Sequence, residues 1–151
     1  PDVARYLLDE PWTVEVTRDK LTERQSKTDL DGETAALALV IEHGGIAIGD
    51  VALWLTDKVH RQGEIGWVLN PTHGGQGFAS EAVRAVLALG FDHYNLHRIT
   101  AQMDARNSAS AALANRVGFR LEAHHVQDWF SKGEWTDTLV YARLASENIS
   151  Q

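Results

Sequence analysis

The sequence predicts an α/β (α+β) fold in which helices flank a mixed, mostly antiparallel sheet with one splayed parallel strand pair. Two observations lead to this prediction. Three apolar segments separated by turn-forming residues precede a glycine-rich loop at residues 74–77, and this order is typical of an antiparallel meander. A helical pattern and another strand follow the loop, and a β-loop-α-β order joins parallel neighbours. Because parallel neighbours can separate at their ends, we expect a splay beside the loop.

The three strands of the meander are predicted from runs of apolar, β-branched and aromatic residues; they are residues 35–42, 46–55 and 64–69. His43-Gly44-Gly45 joins the first two as a hairpin turn, and Pro71 ends the third. Upstream, Thr13 is a candidate N-cap for a polar helix over about 14–26. Apolar residues between positions 3 and 8 predict a short turn or helix against the core.

The second half of the chain is predicted to alternate helices and strands. Apolar residues recur at helical spacing after the glycine-rich loop and predict a helix over about 80–94. A strand at 98–103 and a helix at 108–117 follow. Two closing strands are expected between residues 119 and 141, around a turn at Lys132-Gly133.

Composition and charge argue against several classes of partner. The 151 residues, 44% hydrophobic and 23% charged, suit one domain spanning 1–151. The net charge of −7 argues against a nucleic-acid partner, which needs clustered Lys and Arg, and is compatible with an amine substrate. The absence of cysteine excludes disulfides and suits a reducing cytoplasm. No apolar run approaches the roughly 20 residues that span a bilayer, so we expect no membrane partner.

No metal site is predicted, although the chain has seven histidines. No close pair of histidines has helical spacing suited to one site. His124 and His125 are neighbours on a predicted strand and would point to opposite faces of the sheet.

The glycine-rich loop joins a strand to a helix, where phosphate groups commonly bind. The first N–H groups of a helix lack internal partners and carry the positive end of its dipole, although a plain tight turn would also use the glycines. Phe78 and Ala79 stand after Gly77 where a P-loop needs Lys and Ser or Thr, which argues against nucleoside triphosphate hydrolysis. Ser80 stands where a dinucleotide fingerprint needs its third glycine.

The loop resembles the acyl-coenzyme A pyrophosphate loop of the GNAT acetyltransferases, in the branch around the RimJ/RimL protein N-acetyltransferases. Within Gln76-Gly77-Phe78-Ala79-Ser80-Glu81-Ala82, Gly77 and Ala79 match fixed positions of that loop, whereas Gly74 falls where Gln or Arg is typical. The resemblance implies acetyl-CoA as acyl donor, with its pyrophosphate held by the loop. The loop residues concerned are Gly74, Gly75, Gln76, Gly77, Phe78, Ala79 and Ser80.

A second segment resembles the same family. Asn107-Ser108-Ala109-Ser110, followed by Gly118-Phe119, is similar to the family's Asn-x-x-Ser…Gly-Phe segment. This similarity implies that Asn107 holds the pantetheine and that Ser110 faces the thioester, where it could protonate the departing thiolate. Helix capping alone would also explain Asn107 and Gly118.

The closing strands resemble the hairpin of the RimJ/RimL branch through Gly133-x-Trp135-x-Asp137…Tyr141. Trp129 and Trp135, near the turn, are candidates for lining an acceptor groove. An exposed hairpin could also pair two protomers as a homodimer. The family's first strand has no counterpart upstream, so we expect the chain to lack it.

On the strand before the loop, Glu64 is the candidate general base. A lysine-type amine with a pKa near 10.4 is almost fully charged at neutral pH and must lose a proton before it attacks a thioester. Alternation places Glu64 on one face with Gly66 and Val68; pairing with a cation would be its structural alternative. Main-chain N–H groups near Trp67, Val68 and Leu69 could stabilise the oxyanion.

These residues predict an acyl-CoA-dependent N-acetyltransferase that acts by direct transfer. The acceptor is left open between a protein N-terminal amine and a small-molecule amine. A non-catalytic acyl-CoA-binding sensor or interaction module is the alternative from a different class.

Overall fold

The computed structural model describes residues 5–7 and 13–147. Its helices and strands are α1 (Val14–Gln25), β1 (Thr28–Asp29), β2 (Ala36–His43), β3 (Ile46–Asp57), β4 (Gln62–Leu69), α2 (Phe78–Ala88), β5 (Arg98–Asp104), α3 (Ser108–Arg116), β6 (Arg120–Ser131) and β7 (Glu134–Leu144). Short turns of 3-10 helix lie at Pro71–His73 and Ala145–Glu147. None of the helices in the described ranges is long and apolar enough to cross a membrane.

The strands form a seven-stranded sheet in the order β1-β2-β3-β4-β5-β7-β6. Neighbours are antiparallel except β4 and β5, which run parallel and pair only between Gln62–Glu64 and Arg98–Thr100. Beyond this short contact β4 stays paired with β3, while β5 stays paired with β7. The predicted mixed sheet with a splayed parallel pair is therefore confirmed.

The main core lies between the sheet and helices α2 and α3. Val83, Val86 and Leu87 recur at the i, i+3, i+4 spacing of an amphipathic helix, and all three are buried. Ile65 of β4 and Leu113 of α3 belong to the same buried cluster. The helices on this face thereby hold the loop before α2 and the start of α3 against the open part of the sheet.

The opposite face of the sheet is contacted by α1, a polar helix without buried residues. Thr13 caps α1 as predicted, since its side chain accepts a hydrogen bond from the Val16 N–H. Arg24 of α1 forms an ion pair with Asp50 of β3, with 2.8 Å between Nη1 and Oδ2. The contact is polar, so α1 leaves room for a cavity beneath it.

Two element boundaries differ from the prediction. The helix after the glycine-rich loop begins at Phe78, and its α-helical part ends at Ala88, followed by a π-helical turn over Leu89–His93. Apolar spacing does not distinguish a π-helical turn from a continued α-helix. Buried Gly90 lies in this turn, where an added Cβ would come within 2.9 Å of Ile99 Cδ1.

Some predictions fall on residues that the structure does not describe. Of the turn or helix expected between residues 3 and 8, only 5–7 lie in the described ranges, where they form a turn. The two-residue strand β1 was not predicted, because so short a strand has no alternation to detect.

Candidate active site

The separation of β4 from β5 leaves main-chain groups of β4 without a strand opposite them. Asn70 N–H donates to Ile48 O at 2.7 Å, so alternation directs the main chain of Gly66 and Val68 towards β3. The main-chain groups of Trp67 and Leu69 point the other way, into the gap beyond the last β5 pair. Of the three strand residues predicted to stabilise an oxyanion, Trp67 and Leu69 therefore present their N–H groups to the gap, whereas Val68 does not.

A cavity of about 960 Å³ surrounds this gap. The predicted site residues that line it are Glu64, Trp67, Val68, Asn107 and Ser110. Leu69 and the glycine-rich loop are not among its described lining residues. The structure thus brings the proposed acid, base and pantetheine contact to one cavity and leaves the loop outside it.

Glu64 is half-buried in the cavity wall. Trp54 is its direct partner across the β3/β4 pair, and a Cβ added to Gly66 would lie 3.5 Å from Trp54 Cη2. The indole therefore lies over Gly66, beside the Glu64 side chain. Burial raises the pKa of the Glu64 carboxyl above its ordinary value of 4.5. No ion pair or hydrogen bond to this carboxyl occurs among the described residues.

Ser110 approaches the gap from the other face of the sheet. Asn107 caps α3, and its Oδ1 accepts a 3.1 Å hydrogen bond from the Ser110 N–H. Ser110 Oγ in turn accepts a 3.2 Å hydrogen bond from Trp67 Nε1. The capping role of Asn107 is thereby confirmed, and the cap fixes the first turn of α3, which carries the Ser110 hydroxyl.

The two faces of the sheet therefore present different groups to one opening. Glu64 lies on the face contacted by α1, together with Trp54 and Asp50. Trp67 and Ser110 lie on the face packed by α2 and α3. A donor and an acceptor entering from opposite faces could meet in the gap between β4 and β5.

The glycine-rich loop lies at the exposed start of α2. Gly75 and Gly77 adopt left-handed conformations with φ of 73° and 85°, which glycine adopts without strain. The first intrahelical hydrogen bond runs from Glu81 N–H to Gly77 O, at 3.0 Å, so the preceding N–H groups are not used inside α2. Gly74, Gly75, Gln76 and Gly77 are all exposed. This arrangement can accept an anion through main-chain donors.

Three side chains after Gly77 have structural contacts. The Phe78 ring lies 4.5 Å from the His43 ring, measured between centroids, and Ala79 is buried. Ser80 is 3% exposed, and its Oγ accepts a 2.9 Å hydrogen bond from Arg116 Nη1. The Ser80 side chain therefore belongs to the packing between α2 and α3.

Sequence reasoning missed two residues of the cavity wall. Trp54 could have been found, because the hairpin register places it opposite Glu64. Arg106, which precedes the motif residue Asn107, gave no signal; it lines the cavity and forms ion pairs with Asp104 and Glu134. Of the two tryptophans expected in an acceptor groove, Trp129 lines the cavity and Trp135 is not among the described lining residues.

The seven histidines do not form a metal site within the described residues. No group of three or more His, Asp or Glu side chains there could hold a metal ion. His124 contacts Asp137 and His125 contacts Asp128, at 2.8 and 3.4 Å, so the neighbouring histidines have separate partners.

Comparison with known proteins identifies the family. Residues 1–120 match the acetyltransferase (GNAT) domain. The chain belongs to the GNAT acetyltransferase family. It is 30% identical over 148 residues to the uncharacterized N-acetyltransferase p20 of Bacillus licheniformis, covering 97% of this chain and 83% of that protein.

Solved structures share the fold. A GNAT-family acetyltransferase from Bacillus anthracis superimposes with a TM-score of 0.81 at 29% identity, covering 96% of this chain and 82% of that one. A spermidine N-acetyltransferase from Vibrio cholerae, in complex with CoA and spermine, superimposes with a TM-score of 0.81 at 25% identity. The match covers 99% of this chain and 86% of that one. This GNAT protein is an acetyl-CoA-dependent N-acetyltransferase, and acetyl-CoA is its acyl donor.

Proposed function

We propose that this GNAT enzyme acetylates a primary amine of a small molecule by direct attack on acetyl-CoA, with Glu64 as general base and Ser110 as general acid. The observation that supports this most strongly is the environment of Glu64. Its carboxyl lies in the cavity beside the gap, is half-buried, has a raised pKa and has no ion-pair partner among the described residues. A catalytic base needs both access to substrate and a pKa above that of an ordinary carboxyl.

In the proposed reaction, the amine nitrogen bonds to the thioester carbonyl carbon while Glu64 accepts a proton from the amine, directly or through a water. The carbonyl oxygen becomes an oxyanion, which the N–H groups of Trp67 and Leu69 can stabilise. The carbon–sulfur bond then breaks, and the CoA thiolate takes a proton from Ser110 Oγ; Ser110 regains a proton from solvent, and Glu64 releases its proton to solvent. The products are an N-acetyl amine and CoA, with no covalent intermediate on the enzyme.

The same proposal assigns the rest of the acetyl-CoA site. The N–H groups of the exposed loop residues Gly75, Gln76 and Gly77, together with those of the first turn of α2 from Phe78 to Ser80, would bind the pyrophosphate, with Gly74 shaping the turn. The pantetheine arm would lie in the gap, where its amide N–H groups can donate to the main-chain carbonyl groups of Trp67 and Leu69 as an added strand would, while the N–H groups of these residues face the oxyanion. Asn107 would contact the arm through its side-chain amide, in addition to capping α3.

The acceptor is proposed to be a small molecule for two reasons. The acceptor groups lie inside a cavity between α1 and the sheet, and the spermidine N-acetyltransferase of Vibrio cholerae, a structural relative, was solved with CoA and spermine. A protein N-terminal amine is the second candidate, favoured by the RimJ/RimL-like pattern from Gly133 to Tyr141 in the closing hairpin.

Titration calorimetry with acetyl-CoA, followed by thiol release against a panel of amines and N-terminal peptides, tests the proposal. Saturable binding and thiol release with at least one small amine is the expected result. Binding without turnover on any amine would favour the sensor alternative, and no binding at millimolar acetyl-CoA would overturn the assigned site. Release with peptides alone would favour the second acceptor class.

A homodimer and a cytoplasmic location remain predictions. Val126, Phe130 and Trp135 are between 58% and 72% exposed on the closing hairpin, which supports pairing of two protomers there. Sedimentation of the wild type and of Phe130→Glu measures the oligomeric state of each protein. A monomeric wild type would contradict the dimer. The cytoplasmic location is supported by the absence of cysteine.

A further inference from the structure

The cavity contains more carboxylates than it leaves open to a substrate. Its described lining includes four carboxylates, namely Asp50, Glu64, Asp104 and Glu134. Arg24 Nη1 lies 2.8 Å from Asp50 Oδ2, and Arg106 lies 2.8 Å from both Asp104 and Glu134. Within the described part of the chain, three of the four are thus paired with a guanidinium, two of them with the same Arg106, and Glu64 has no such partner.

Arg106 is held firmly between its two partners. Its Nε and Nη2 donate to the two oxygens of Asp104 at 3.0 and 2.8 Å, and its Nη1 donates to Glu134 Oε1 at 2.8 Å. The Asp104 side chain is only 11% exposed, and the adjacent guanidinium lowers its pKa. A bidentate, partly buried pair of this kind is strong and directional. A substrate ammonium would have to displace the guanidinium to reach Asp104, and would have to compete with it for Glu134.

Besides the cationic side chains of Arg5, Lys27 and Lys132, much of the remaining wall is suited to an uncharged body. Apolar and aromatic side chains contribute to it, namely Tyr6, Trp54, Leu55, Trp67, Met103 and Trp129. Trp54 is the partner of Glu64 on the neighbouring strand β3. An amine that reaches the Glu64 carboxylate would therefore pass along the face of the Trp54 indole. An apolar group that follows this amine gains by leaving water, whereas a second ammonium would lose hydration without gaining a carboxylate.

We propose that the acceptor carries a single positive charge on an apolar or aromatic body, and that Arg106 excludes polyamines by occupying Asp104 and Glu134. This inference rests on the proposed function, since it concerns the acceptor side of the same site. It separates this chain from the spermidine N-acetyltransferases that it resembles.

The test compares two acceptors of equal length, hexylamine and 1,6-diaminohexane, which differ in one ammonium group. Thiol release from acetyl-CoA gives kcat/KM for each, and calorimetry on the CoA-bound protein gives Kd for each. We expect hexylamine to be preferred at least about tenfold in both measurements, equivalent to roughly 1.4 kcal/mol. Equal or better use of the diamine, or of spermidine, would overturn the inference.

Arg106→Gln tests the assigned cause. Removing the guanidinium opens Asp104 and Glu134, so the ratio of diamine to monoamine in kcat/KM and in affinity should rise at least about fivefold. Arg98→Gln is the matched control, because Arg98 also makes two hydrogen bonds to a carboxylate, Glu122, but is not in the described cavity lining. An unchanged ratio in folded Arg106→Gln would overturn the role of Arg106.

If Arg106→Gln fails to fold, Arg24→Gln replaces it, since that substitution opens Asp50.

The proposed acetylation and the proposed charge preference would be contradicted by different results. Binding of either amine without thiol release would contradict the proposed acetylation, yet the ratio of the two Kd values would still decide the charge preference. Thiol release with the diamine preferred would support acetylation and contradict the charge preference.

Discussion

Trp67 Nε1 donates a 3.2 Å hydrogen bond to Ser110 Oγ, which joins β4 to the first turn of α3 across the gap where β4 and β5 separate. The bond occupies an acceptor lone pair of the hydroxyl and leaves its proton available to another acceptor. Ser110 is therefore fixed in position and still able to act as a proton donor.

Replacement of Ser110 tests this role. Ser110→Ala should lower kcat by about 10²-fold or more, in the range typical of a lost general acid, and change the Kd for acetyl-CoA by less than about threefold. Stopped-flow or steady-state thiol release and calorimetry measure the two quantities. Ser108→Ala, an exposed position in the same helix, is the control. Equal kcat values in both variants would exclude Ser110 as the acid.

Replacement of Glu64 tests the proposed base. Glu64→Gln should lower kcat about 10²- to 10⁴-fold, whereas Glu42→Gln on the exposed part of β2 should not. Because burial raises the pKa of Glu64, the wild-type kcat/KM should fall as the pH drops through a value above 4.5, and this limb should be missing from the residual rate of Glu64→Gln. A pH profile of kcat/KM for both proteins shows whether the acidic limb belongs to Glu64. An acidic limb that persists in Glu64→Gln would assign it to another group.

Glu64→Gln should lower activity but should not lower stability. A carboxyl whose pKa is raised in the folded state favours folding while protonated and loses that contribution as the pH rises through the folded pKa. Glu64→Gln removes the charged form, so its Tm at pH 7 should equal or exceed that of the wild type. The Tm difference should shrink as the pH approaches 4.5. A lower Tm for Glu64→Gln at pH 7, measured by circular dichroism, would indicate a stabilising partner for the carboxylate.

Much of the fold and part of the site follow from local sequence. The end of a strand and the start of a helix depend on single residues and their immediate neighbours. The structure shows the predicted strand end at Pro71 and the predicted helix starts at Thr13 and Asn107. Alternation also places Glu64 on one face with Gly66. Arg106 could not be assigned, because its ion pair with Glu134 joins residues that are distant in sequence and meet only when β5 pairs with β7.

Gly77 offers a test of the loop that separates anion binding from backbone strain. Gly77 and Gly133 both have positive φ, 85° and 80°, and a Cβ added at either meets nothing within 4 Å. Alanine at either position should therefore cost about 1 kcal/mol of stability through torsional strain. Only Gly77→Ala should also weaken acetyl-CoA binding, since its methyl group would occupy the space above the loop. Calorimetry on both variants gives the comparison, and equal Kd values would make the loop a structural turn.

Asn107 allows its two assigned roles to be separated. Its Oδ1 caps α3 by accepting from the Ser110 N–H, while its amide NH₂ is proposed to contact the pantetheine. Asn107→Asp keeps the cap acceptor and removes the NH₂ donor, so Tm should be retained while the affinity for acetyl-CoA falls. Asn107→Ala removes both groups and should also lose about 1 kcal/mol of stability. If Asn107→Asp binds acetyl-CoA as tightly as the wild type, capping accounts for Asn107 completely and the pantetheine contact must be assigned to other groups in the gap.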